Sequence, residues 1–491
     1  MKFRSSSFLV SVALLGRLLL PAVFAADAAA PNPSAGPPAA SATAAPAATP
    51  AAPPAVGFRN KDRWCVIGDS ITHSGSYHEW IELYYITRLP GAVVEDFNCG
   101  ISGDRAAGGL QRLNWDILSK QPTVASIMFG MNDVERDLYS DAPATPEILE
   151  KRQAALTRYQ QNQRDLVAAL QKAGVRVILI TPSIFDQTAE MAAPKQTGVN
   201  DALGECAAFV QKLGAETGCA VVDFYGPMKR FTEAKQAKDP KFTMVGPDRI
   251  HPGPAGHLAL AYLFLEAQGA SADVARLSID AGTAKVVSTV RSNATNVRAQ
   301  GAGLAFTWSE NALPFPIDPD CAAALDWLPF NRELNQEVLQ VTKLKPGRYV
   351  LSIDGVEIKT YSAEELAGGV NLSEEVKTPQ HQQAIEVLHL MNQRTKLVSM
   401  MLRSLAHVEH QSAPDVAHPV TLEQMKPYLQ KRLERFKLNP PAASTRLEVE
   451  HYPNIKPHEA ESIAESARLV EQARRVAAPR PHEFALTPAA N

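Results

Sequence analysis

The segment Arg63-Trp64-Cys65-Val66-Ile67-Gly68-Asp69-Ser70-Ile71-Thr72 holds an apolar run, Trp64 to Ile67, that stops at a glycine and turns into a polar, hydroxyl-bearing stretch. Unbroken apolarity without alternation is the pattern of a strand buried on both faces, as in a parallel sheet covered by helices on each side. Four runs of the same kind follow, Val93 to Phe97, Val124 to Phe129, Val175 to Ile180 and Ala220 to Phe224, with helical patterns between them. This alternation predicts a doubly wound α/β domain, closed by a last helix from Ala255 to about Glu266.

In such a sheet, ligands bind outside the carboxyl ends of the strands. Ser70 follows the first strand, Asn98-Cys99-Gly100-Ile101-Ser102-Gly103-Asp104 follows the second, and Phe129-Gly130-Met131-Asn132-Asp133 follows the third. With the common strand order 2-1-3-4-5, strand 1 lies between strands 2 and 3, and these loops converge. Singly, Gly68-Asp69-Ser70 reads as a strand-ending turn, Gly103 as a turn glycine and Asn132 as a helix cap. Together they bring a hydroxyl nucleophile, a glycine whose bare backbone admits a developing oxyanion, and a side-chain amide as a second donor. Before the closing helix stands Asp248-Arg249-Ile250-His251-Pro252, in which the Asp248 carboxylate can reach back to the His251 imidazole and hold its tautomer. An Asp-x-x-His pair also serves as half of a metal site. No third ligand of recognisable spacing accompanies it here, so a triad is favoured and no metal or other cofactor is expected.

Taken in order, Gly68-Asp69-Ser70, Gly103 within Ile101-Ser102-Gly103-Asp104, Gly130-Met131-Asn132-Asp133, and Asp248 with His251 resemble the sequence blocks of the SGNH, or GDSL, hydrolase family. The resemblance covers about residues 63–268 and implies a flavodoxin-like three-layer α/β/α fold with Ser70 as nucleophile, His251 as its base and Asp248 as the third triad member. It also implies an oxyanion hole made by the Ser70 and Gly103 backbone N–H groups and the Asn132 side chain, and hence a serine esterase working through an acyl-enzyme. No Gly-x-Ser-x-Gly is present, which separates the chain from the ordinary α/β-hydrolases. Polar residues follow each block: Thr72, His73, Ser74 and His78, then Asp104 and Arg105, then Asp133, Glu135 and Arg136. They favour a short acyl group, acetyl above all, on a carbohydrate-like alcohol, in a small-molecule or polysaccharide ester. The alternatives are a lipase or thioesterase acting on longer acyl chains and a non-catalytic glycan-binding surface module. The stretch from Tyr349 through Leu372 looks like the C-terminal extension of some exported bacterial members.

The 491 residues carry 45% hydrophobic residues and a net charge of −3, which fits a soluble globular protein and offers no field that would recruit nucleic acid. Met1-Lys2-Phe3-Arg4 followed by the apolar run Phe8 to Phe24 and a small-residue site predicts a signal peptide at 1–25, so a secreted or periplasmic protein with no membrane span after cleavage. An Ala/Pro-rich linker, 26–56, precedes the hydrolase domain at 57–270. A β-rich accessory region is expected at 271–375, including an Asp354-Gly355 hairpin and a Ser362/Glu365 capping box, then a helical region at 376–491. Trp308, Phe315, Trp327 and Phe330 read as core or as a sugar-stacking platform. Five widely spaced cysteines show no zinc pattern, and no disulfide pairing is assigned to them.

Overall fold

The computed structural model describes residues 55–490; the expected signal peptide and residues 26–54 of the expected linker lie outside the described residues. The first elements are β1 (Asp62–Gly68), α1 (Ser70–His73), α2 (Ser76–Arg88), β2 (Val94–Gly100), α3 (Ala106–Gln111), β3 (Val124–Met128), α4 (Pro146–Lys172), β4 (Arg176–Ile180), α5 (Val199–Thr217), β5 (Ala220–Val222), α6 (Tyr225–Gln236) and α7 (Pro254–Ala267). The strands form a parallel sheet in the order β2-β1-β3-β4-β5. Successive side chains of a strand point to opposite faces, so each unbroken apolar run feeds two cores. Trp64 and Val66 pack with Ile81 and Phe264 on one face, whereas Cys65 and Ile67 pack with Leu166 and Val210 on the other.

The rest of the chain runs β6 (Asp273–Asp280), β7 (Lys285–Val290), β8 (Ser292–Gln300), β9 (Gly303–Glu310), α8 (Phe330–Leu334), β10 (Gln336–Thr342), β11 (Arg348–Ile353), β12 (Val356–Ser362), α9 (Ala363–Gly368), β13 (Val370–Asn371), α10 (Pro379–Leu397), α11 (Arg403–Ser412), α12 (Leu422–Leu438), α13 (Ala443–Ile455), α14 (Glu459–Val476) and β14 (Pro481–Pro488). Two sheets, β13-β10-β6-β7 and β12-β11-β14-β9-β8, share a core that includes Leu277, Phe306, Trp308, Leu351 and Phe484. The β11–β12 hairpin turns on Asp354 and Gly355, both at positive φ, and the Ser362/Glu365 capping box starts α9.

Region 376–491, expected to be helical, instead ends in a strand. In β14, His482, Phe484 and Leu486 alternate with outward residues, and the strand inserts between β11 and β9. The sugar-platform idea is likewise corrected for three of its four aromatics: Trp308, Phe315 and Phe330 are 0%, 2% and 1% exposed and belong to cores. Trp327 packs edge-on against Phe242, with ring centroids 5.3 Å apart. All five cysteines are buried and free. No helix among the described residues is long and apolar enough to cross a membrane.

Packing crosses the boundaries at 270 and 375. Phe315, Phe330, Val387, Leu388, Met391 and Ala473 belong to the same apolar cluster as Trp64 and Phe264. Strand β2 is an edge strand, and unpaired edge carbonyls need partners. Three arginines of the C-terminal helices supply them: Arg474 donates to the Val94 carbonyl at 2.6 Å, Arg394 to Asp96 at 2.6 Å and Arg403 to Gly100 at 3.0 Å. Arg394 also sits among the buried carboxylates of Glu79, Glu82 and Asp96. Burial alone would lower its pKa, and these three acids override that and raise it.

Candidate active site

Ser70 stands at the carboxyl end of β1, as the first residue of α1. The bend is possible because residue 68 is glycine: a Cβ there would lie 2.2 Å from Thr72 Oγ1 and 2.9 Å from the Met128 carbonyl. Asp69 caps the short helix by accepting from the Ile71 N–H at 3.0 Å, and burial pushes its carboxyl pKa up to about 6. Ser70 Oγ then lies 2.7 Å from His251 Nε2.

The loop before α7 holds the other two triad candidates. Asp248 Oδ2 is 2.5 Å from His251 Nδ1, and Asp248 Oδ1 accepts the Ile250 and His251 N–H groups, both at 3.0 Å. Burial would raise the Asp248 pKa, but the hydrogen bonds from the His251 side chain and backbone hold it below the usual carboxylate value. An ionised Asp248 accepts from Nδ1–H and leaves Nε2 free to accept the serine proton. Between them Arg249, at φ +67°, is fully buried. It donates to the carbonyls of Asp186, Ala189, Met191 and Ala193, which anchors the loop from beneath.

Gly103 is exposed at φ +76°, the third residue of a turn closed by Asp104 N–H to the Ile101 carbonyl at 3.1 Å. The Asn132 amide donates one N–H to the Asp104 carbonyl at 2.9 Å and keeps a second N–H available. Its neighbour Asp133 accepts from the Ala106 and Gly130 N–H groups at 3.0 and 3.1 Å, so the loops after β2 and β3 are joined. Ser70 at the start of α1 and the four other residues singled out from the sequence, which lie on loops, thus follow the sheet strands or precede α7, with direct side-chain contacts linking Ser70, His251 and Asp248. The Ser70, His251 and Asp248 contacts suit proton transfer from a hydroxyl to an imidazole, as acyl-transfer chemistry requires.

Several polar residues expected to line this cleft do not. Thr72, His73 and His78 are buried, as are Asp104 and Asp133; His73 is met by Ser399 of the C-terminal region, whereas Asp133 is turned onto the Ala106 and Gly130 N–H groups. Of that set Ser74 and Arg105 remain exposed, with Glu135 and Arg136 half-buried. The sequence also hid a supporting shell. Asp104 pairs with Arg112 at 2.8 Å, Arg112 with Asp116 at 2.5 Å, and Asp116 with Arg403 of α11. Only the Arg112/Asp116 spacing of i, i+4 was visible as a local signal. Among the described residues, His78, Glu79 and Asp96 are close enough together to hold a metal ion, but Arg394 already contributes a cation to that cluster.

The family model described as GDSL-like Lipase/Acylhydrolase matches residues 66–259. An acetylxylan esterase of Geobacillus stearothermophilus is 28% identical over 218 residues, which are 41% of this chain and 92% of that protein. A solved structure of a gut microbial diltiazem-metabolizing enzyme is 30% identical, with a TM-score of 0.78, covering 88% of this chain and 99% of the other. A solved acetylxylan esterase from Geobacillus stearothermophilus is 24% identical, with a TM-score of 0.35, over 43% of this chain and 95% of the other.

Proposed function

Since the chain belongs to the GDSL-like lipase/acylhydrolase family and is a serine carboxylic ester hydrolase, we propose that it removes short acyl groups, acetyl above all, from carbohydrate esters after export from the cytoplasm. The observation that carries the reading is the unbroken chain Ser70 Oγ, His251 Nε2, His251 Nδ1, Asp248 Oδ2 at 2.7 and 2.5 Å. His251 takes the Ser70 proton as Oγ attacks the ester carbonyl, and Asp248 stabilises the imidazolium that results. The tetrahedral oxyanion is held by the Ser70 and Gly103 N–H groups and the free Asn132 N–H. His251 returns the proton to the leaving alcohol, and water then attacks the acyl-enzyme with the same base.

Support for the acetyl and carbohydrate part comes from the relative described as an acetylxylan esterase. Four apolar side chains at 183–199 and 225–247, Met191, Phe231, Phe242 and Met244, could wall the site; Met191 is half-buried, and further support comes from the fate of the other three. Met244 is buried in the core, while Phe231 and Phe242 pack against each other and Trp327. A groove for a long acyl chain needs open apolar surface worth about 0.8 kcal/mol per methylene, and these side chains are already engaged. The deciding experiment measures kcat/KM along a nitrophenyl ester series from acetate to decanoate, together with acetate release from acetylated xylo-oligosaccharides. An optimum at acetate with acetate released supports the reading. An optimum at long chains with none released replaces it by a lipase or thioesterase.

A further inference from the structure

His73 is three residues after the nucleophile, 6% exposed and part of no cleft wall, yet both of its ring nitrogens are engaged. Nδ1 lies 3.1 Å from the Ser102 backbone N and 3.1 Å from Ser102 Oγ. Nε2 lies 3.0 Å from the Ser399 carbonyl. A backbone N–H only donates and a carbonyl only accepts, so the ring must be neutral with its proton on Nε2. Ser399 belongs to a π-helical turn, Val398–Leu402, between α10 and α11, a kind of turn frequent at functional sites. Its hydroxyl also donates to the Ser74 carbonyl at 3.1 Å, so one residue of the C-terminal region grips the end of the nucleophile helix and, through His73, the loop after β2.

That loop is the one carrying Gly103. Its backbone is held at further points by the same C-terminal region. Arg403 donates to the Gly100 carbonyl at 3.0 Å, and Gln411 to the Ser102 carbonyl at 3.4 Å. His410 Nε2 lies 3.5 Å from the Asp104 carboxylate. A Cβ on Gly100 would lie 2.3 Å from the His73 backbone N, so α1 is pressed onto the end of β2 with no slack. We propose that His73 is a positioning residue for the oxyanion hole, transmitting the register of the C-terminal helices to the Gly103 N–H through the Ser102 peptide. The proposal rests on reading Gly103 and Asn132 as oxyanion donors. A donor set on a turn is useful only if its N–H is aimed at the oxyanion before the reaction starts, and a displacement of about 1 Å can cost about 100-fold.

The test compares His73→Gln with His73→Phe in the full chain, using nitrophenyl acetate. A glutamine amide can still accept from the Ser102 N–H and donate to the Ser399 carbonyl, whereas phenylalanine fills the ring's volume and bonds neither. His73→Phe is expected to lose about 10- to 100-fold in kcat with KM within about threefold of the parent, because a displaced oxyanion donor acts on the transition state. His73→Gln should recover kcat to within about fivefold. Equal kcat in the two variants, or a loss confined to KM, overturns the proposal. Asn132→Ala, assayed in parallel, separates this proposal from its premise. If it leaves kcat unchanged, the oxyanion assignment and the His73 role fall together; if it lowers kcat while His73→Phe does not, only the His73 role falls. Should His73→Phe not fold, Gln411→Ala carries the test, since Gln411 is exposed and donates to the carbonyl of the same residue, Ser102, in the peptide that bears the Gly103 N–H. A kcat loss of about threefold at unchanged KM supports the proposal, and unchanged kcat overturns it.

Discussion

Arg403 on α11 holds Asp116 with two parallel hydrogen bonds, Nη1 to Oδ1 at 2.7 Å and Nη2 to Oδ2 at 2.8 Å, across 287 residues of sequence. Burial alone would raise the Asp116 pKa, but Arg403 and Arg112 override it and keep the carboxyl well below its usual range. Arg112 passes the same order on to Asp104, beside Gly103. Removing one member of a buried ion pair strands the other's charge, so Arg403→Ala should destabilise the protein by about 3–5 kcal/mol. The check is urea unfolding at pH 7; a change under about 1 kcal/mol would mean water replaces the guanidinium.

Ser70→Ala should abolish turnover and fluorophosphonate labelling without changing the unfolding midpoint, because no other hydroxyl contacts His251 Nε2 among the described residues. Asn132→Ala should lower kcat by about 10²–10³, the usual loss for one oxyanion donor. Steady-state kinetics with active-site titration checks both. Retained labelling in a folded Ser70→Ala protein would remove Ser70 from the nucleophile's role.

Residues 57–270 contain the whole proposed triad and would stand alone by the alternation of their strands and helices. The structure argues that this fragment does not fold. Cutting at 270 removes Arg394, Arg403 and Arg474, leaving Glu79, Glu82, Asp96 and Asp116, each at most 3% exposed, without those guanidinium partners. It also strips the carbonyl partners of Val94, Asp96 and Gly100 on the sheet edge. Circular dichroism and cooperative thermal unfolding of the fragment decide the matter, and a sharp transition would contradict the expectation.

Acid should act on His73. Burial, then the nearby Arg403 and His407 charges, lower its pKa from the usual value to about 4. Between about pH 6.5 and pH 4 the unfolded histidine binds a proton that the folded one refuses, so stability is lost as pH falls through that window. Relative to His73→Gln, the parent should lose up to about 3 kcal/mol of stability from pH 7 to pH 4. Denaturant unfolding of both proteins across that range measures the difference, and parallel curves would show that His73 titrates normally.

The sheet was legible because burial on both faces leaves a mark on consecutive residues: Trp64 to Ile67 is apolar throughout since it feeds both cores. The five candidate residues were legible for a similar reason. Each lies in one of four short blocks, Gly68-Asp69-Ser70, Ile101-Ser102-Gly103-Asp104, Gly130-Met131-Asn132-Asp133 or Asp248-Arg249-Ile250-His251, whose turn is set by its own glycines, caps and spacing. The Asp354-Gly355 hairpin and the Ser362 cap belong to the same class of local signal. The alternation in His482, Phe484 and Leu486 was present too, but a lone strand carries no sign of which sheet it enters.

What covers a polar side chain is another matter. Thr72, His73, His78, Asp104 and Asp133 read as cleft-lining because polar residues after a strand are usually exposed, yet neighbouring elements bury every one of them. His73 meets Ser399 and Asp116 meets Arg403 only after about 300 residues of chain have returned to the edge of the sheet. Backbone period and turn chemistry are properties of neighbouring residues, so the sequence by itself determined the strands of the sheet and the blocks that carry the proposed triad. The strand order was expected only from the common doubly wound arrangement and is set by the tertiary structure. Burial of a charge is a property of whatever surface arrives to cover it, so only the tertiary structure decided that the C-terminal helices complete the core around β2 and brace the loop that carries Gly103.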